Sequence, residues 1–119
     1  MNCYTHDEHV HDIVNHFKKK GIHCITEVSL GNRRIDIECE NAHIEVKNTC
    51  EDYHSTRSKE QISDMKEYSC MLNKPFVVST PCGCFEAKNT QGKEFIKKHD
   101  LIECPTKQEL HCCTKHEID

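Results

Sequence analysis

Two stretches of this 119-residue chain alternate apolar and charged residues with a period of two, and only Glu40 and Asn41 separate them. Ile35, Ile37 and Cys39 alternate with Arg34, Asp36 and Glu38; Ala42, Ile44 and Val46 alternate with His43, Glu45 and Lys47. That period belongs to a β-strand with one buried face, and a helix cannot bury it. A tight hairpin turning at Glu40-Asn41 pairs Cys39 with Ala42, Glu38 with His43, Ile37 with Ile44 and Asp36 with Glu45. A slip of one residue would exchange the two faces, so burial of Ile35, Ile37, Ile44 and Val46 holds the register.

The elements around this hairpin are legible in the same way. Thr5-His6-Asp7-Glu8 has the form of a capping box, and Val10, Ile13, Val14 and Phe17 follow on one helical face. Lys18, Lys19 and Lys20 complement the dipole at the end of that helix, and Gly21 stops it. Residues 22–30 are rich in β-branched types and predict a strand, with a turn at Gly31-Asn32. After a polar loop over 48–57, a helix from Ser58, with Ser58-Lys59-Glu60-Gln61 as its capping box, carries Ile62, Met65, Tyr68 or Ser69, and Leu72 inward. Phe76–Ser79 then predicts a buried strand. A strand, a helix and a strand imply a parallel pair joined by a crossover. Further on come a turn at Cys82-Gly83-Cys84, a short helix over 90–99, an edge strand over 101–104, and a last helix opening at Thr106. The expected fold is α/β: a central mixed sheet of about four or five strands flanked by helices, in one domain over 1–119.

The charged face of the hairpin carries the chemistry. Directly opposite residues bring their Cβ atoms to about 4.5–5.5 Å, so Asp36 and Glu45 repel unless a proton or a cation lies between them. Mg²⁺ or Mn²⁺ prefers such carboxylate oxygens and can activate water and polarise a phosphoryl group. Lys47, on the face of Glu45, is placed to orient the water or to offset charge on the phosphate. The same alternation equally describes a hairpin whose polar face is merely solvated.

The order of elements adds to this. A helix, a strand, a strand with Arg34-Ile35-Asp36-Ile37, a strand with Ile44-Glu45-Val46-Lys47, a helix with Gln61 and an apolar strand together resemble the PD-(D/E)XK nuclease superfamily. Within it the layout is most similar to the small archaeal Holliday junction resolvases. The resemblance covers roughly residues 5 to 80, and Ile35 stands where the name-giving motif has proline. It implies a restriction-endonuclease-like core and a divalent-metal-dependent DNA endonuclease, with branched or Holliday junction DNA as substrate and a homodimer as the working form. On this resemblance Asp36 and Glu45 are metal ligands, Lys47 is the catalytic lysine, Glu8 or Glu27 is a further acidic ligand, and Gln61 is a polar helper. The rival reading is a non-catalytic nucleic-acid-binding or assembly module that keeps the fold.

Composition bears on partners and compartment. The net charge is −4, from 16 basic and 20 acidic residues, which is not the basic footprint usual for a nucleic-acid binder. Lys18, Lys19, Lys20, Arg33 and Arg34 are the local basic clusters left to meet a DNA backbone. No apolar run is long enough to span a membrane. The N-terminal residues lack a signal-peptide pattern, so an intracellular, reducing location is expected. On that expectation the ten cysteines are mainly free thiols, with Cys24, Cys39 and Cys70 filling small buried positions. Cys82, Cys84, Cys104, His111, Cys112, Cys113 and His116 are the ligand types of a Zn²⁺ or iron–sulfur site in the last third.

Overall fold

The structure is a computed structural model that describes residues 5–105. The elements in chain order are α1 (His6–Lys19), β1 (Cys24–Leu30), β2 (Arg33–Cys39), β3 (Ala42–Val46), α2 (Cys50–His54), α3 (Thr56–Met71), β4 (Phe76–Ser79), β5 (Phe85–Ala87) and α4 (Thr90–Lys98). The strands form one five-stranded sheet in the order β1-β2-β3-β4-β5. Its first three strands are an antiparallel meander, β3 and β4 are parallel, and β5 returns antiparallel. One sheet face packs on α1 and α4 through Ile13, Phe17, Phe95 and Ile96, with Ile37, Ile44, Val46 and Val77 beneath them. The other packs on α3, where Met65 and Ile62 cover Phe76 and Val78. This is the α/β, restriction-endonuclease-like architecture: a mixed sheet flanked by helices.

The hairpin has the expected register, Cys39 with Ala42, Glu38 with His43 and Ile37 with Ile44. Glu40 and Asn41 both have positive φ, 47° and 69°, as a two-residue turn of the I′ type requires. Thr5 caps α1, and its capping box with Glu8 is complete.

Several expectations are corrected. The loop over 48–57 contains α2, and α3 begins at Thr56. Its cap is Ser55, whose hydroxyl accepts from the Ser58 N–H, while the Ser58 hydroxyl donates to Asp52 and is buried. Leu72 is exposed rather than inward. β5 was not expected, because three residues are too few to show a period. The segment over 101–104 contributes a single parallel bridge, Glu103 to Phe85, rather than a strand. Ile35 leaves the face of Ile37 and joins the α3 side. Alternation breaks at Asp36, opposite Glu27, whose φ of 53° interrupts β1.

The cysteines are corrected as well. Cys24 and Cys39, paired across β1 and β2, form a disulfide, and so do Cys84 and Cys104. Cys70 is an exposed free thiol, not a buried one. No helix among the described residues is long and apolar enough to cross a membrane. The helix expected from Thr106, and His111, Cys112, Cys113 and His116, lie outside the described residues.

Candidate active site

The break at Asp36 builds the site. Continuing the ladder from Cys39–Ala42 and Ile37–Ile44 would give the Val46 N–H to the Ile35 carbonyl, since hydrogen-bonded pairs recur every second residue. The Asp36 carboxylate accepts that N–H instead, at 2.8 Å. A side chain thus replaces a backbone acceptor, and β2 separates from β3 just where the two acids meet. The Nε2 of His6, at the start of α1, lies 3.3 Å from the same carboxylate oxygen.

Glu45 and Lys47 sit on the α3 side of β3, next to the β4 residues that hold it in the sheet. They are 4% and 5% exposed, whereas the Asp36 side chain is 20% exposed. The Lys47 Nζ lies 3.6 Å from Glu45 Oε2 and 3.7 Å from Asp52 Oδ2, and donates to Gln61 Oε1 at 3.0 Å. Gln61 reaches it from the second turn of α3. Glu45 Oε1 is buried with no hydrogen-bond partner among the described residues. Burial first, and the Asp36 charge second, push the Glu45 carboxyl up to about 8 against the pull of Lys47. A buried carboxyl facing another keeps its proton because desolvation and like charge both penalise the anion.

That proton takes the place of the expected cation. Among the described residues, no three His, Cys, Asp or Glu side chains are placed to hold a metal ion. The Mg²⁺ or Mn²⁺ centre expected at Asp36 and Glu45 is therefore corrected: repulsion is relieved by a proton on Glu45, the Lys47 ammonium and the Val46 N–H. Glu8 is held at the α1 cap, where the Thr5 backbone N–H donates to it at 2.9 Å. Glu27, opposite Asp36 in the β1–β2 register, is exposed on the rim of a cavity of about 280 Å³ that it shares with Asp36, His6 and Asp7. The Zn²⁺ or iron–sulfur site is corrected too, because Cys84 and Cys104 are bonded to each other.

The structure brings Asp36, Glu45, Lys47 and Gln61 together and leaves other candidates outside. Arg33 is bonded to Asp64 at 2.5 and 2.7 Å and lies over the Tyr68 ring. Arg34 is exposed, paired with Ser29. Lys18, Lys19 and Lys20 are at the far end of α1, roughly 20 Å along its axis from His6, and Lys20 Nζ donates to the His99 carbonyl. Sequence reasoning missed His6 and Asp52. His6 carried a signal, since it sits inside the capping box whose helix starts beside β2. Asp52 carried none, because α2 was read as loop. No family model, curated protein or solved structure matches this chain.

Proposed function

We propose that this chain is a nuclease, hydrolysing phosphodiester bonds of DNA at Asp36, Glu45 and Lys47. One observation carries the reading: a proton-holding carboxyl, a more exposed carboxylate and an ammonium converge where β2 leaves β3. Two titratable groups whose surroundings differ in this way divide acid and base roles. Asp36, nearer the surface, accepts a proton from the attacking water. Glu45 delivers its proton to the leaving oxygen as the phosphorus–oxygen bond breaks. Lys47, held by Gln61, offsets the charge that grows on the phosphoryl oxygens. Branched DNA, including Holliday junctions, is the substrate this reading favours, with a homodimer cutting both strands. Arg34 and the lysines at the end of α1 meet the backbone.

The burial of Glu45 and Lys47 and the acidic rim at Asp7, Glu27 and Asp36 favour a second reading, a binding or assembly module. Cleavage of linear, single-stranded and branched DNA by the native chain and by Asp36→Ala and Lys47→Ala, each checked for folding by circular dichroism, separates the two. Nuclease chemistry requires loss of about 10²- to 10³-fold in both variants. Rates that do not differ among the three proteins would refute it.

A further inference from the structure

A second constellation lies across the sheet from Glu45 and Lys47. Ser79 ends β4 and pairs with Val46, whose side chain packs on the α1 face. The Ser79 hydroxyl lies 2.9 Å from the Nε2 of His9 in α1, and both residues are buried. The Asn48 side chain favours the charged form of the same ring, against the larger effect of burial. With the ring proton on Nδ1, Nε2 is the acceptor of the Ser79 proton. Burial lowers the His9 pKa, which keeps the ring in its basic form at neutral pH.

Ser79 and His9 both line a cavity of about 330 Å³, at the lower end of small-molecule sites. Its apolar walls include Ile13, Phe85 and Leu101. Asp12 and Asp100 also line it; they disfavour an anionic substrate and repel a carboxylate product. The cavity lies at the carboxyl end of a parallel strand, where open α/β sheets place ligands.

We propose that Ser79 and His9 form a second hydrolytic site, for small uncharged carboxylic esters, with Ser79 as nucleophile and His9 as general base. A nucleophile within hydrogen-bond reach of a base, at the wall of a cavity, is the core of such chemistry. The Ser79 Oγ bonds to the ester carbonyl carbon while its proton passes to His9 Nε2. The tetrahedral species collapses, the carbon–oxygen bond to the alcohol breaks, and the alcohol leaves with the proton from His9. Water then adds to the acyl-serine by the same transfers, releasing the acid and restoring Ser79. His16, whose ring carries an N–H, also lines the cavity.

The test uses the full chain with p-nitrophenyl acetate. A burst of one equivalent of nitrophenol is expected, with a single acetyl group mapped to Ser79 by peptide mass spectrometry and absent from Ser79→Ala. His9→Gln slows acylation by about 10²-fold or more. Acetylation confined to lysine, histidine or the exposed Cys70 in folded protein overturns the proposal. So does Ser79 acetylation that proceeds as fast in His9→Gln.

Discussion

Glu45 ties the stability of the fold to pH. In the unfolded chain its carboxyl titrates near the ordinary 4.5, and in the folded protein near 8. Between those values the folded state holds more protons, so stability falls as pH rises through this window and levels off above it. The loss is on the order of a few kcal/mol. Glu45→Gln removes it, so the melting temperature of the native chain should drop between pH 5 and pH 8.5 by more than that of the variant. Parallel profiles would show that Glu45 does not carry the effect. The meeting of Glu45 with Asp36 was legible in the alternation of the hairpin. That a proton and Lys47, rather than a cation, relieve their repulsion was not. It depends on how deeply α3 and Gln61 cover β3, which no period in the sequence encodes.

Among the elements, α4 approaches the sheet most tightly at Gly92. A β-carbon there would meet the Phe76 carbonyl at 2.3 Å and the Asn89 side chain at 3.0 Å. In an exposed helix, glycine to alanine stabilises by up to about 1 kcal/mol. Here Gly92→Ala should instead destabilise by about 1–3 kcal/mol as overpacking pushes α4 off β4, read from the shift of the urea midpoint. A gain in stability would mean that α4 stands further from β4. The first helix, the meander and the parallel β3–β4 pair were all visible in sequence, because each has a cap, a turn or a period long enough to detect. β5 and α2, at three and five residues, were not. Ile35 shows the limit of periodicity. Its place two residues from Ile37 predicts a shared face, and the kink at Glu27 and Asp36 sends it to the other core.

At the scale of the whole molecule, covalent ties join parts distant in sequence, two of them with both ends among the described residues. Cys24–Cys39 spans a separation of 15 residues across β1 and β2, and Cys84–Cys104 spans 20, joining β5 to the segment after α4. Loop closure in the unfolded chain makes a tie of this length worth about 3 kcal/mol. The double variant Cys84→Ala/Cys104→Ala should lose roughly that much in urea denaturation, and dithiothreitol should then affect it less than the native chain. An unchanged midpoint would show that the tie contributes nothing to the folded state. Ten cysteines allow too many connectivities for sequence to choose among them. Two cores back to back, one under α1 and α4 and one under α3, leave both sheet faces covered. Glu45 and Lys47 therefore lie on the α3 face of the sheet, and Ser79 and His9 on the α1 face.

By itself the sequence determined the local periods, the caps and the turn, and through them the hairpin register that sets Asp36 toward Glu45. Those features depend on residues near one another along the chain. Tertiary structure alone decided which cysteines joined, that Ile35 would change sides, that Glu45 would be buried deeply enough to keep its proton, and that His9 would reach Ser79 seventy positions away. Each of these is a matter of solvent exclusion or of contact between distant segments, and it exists only once the helices have closed over the sheet.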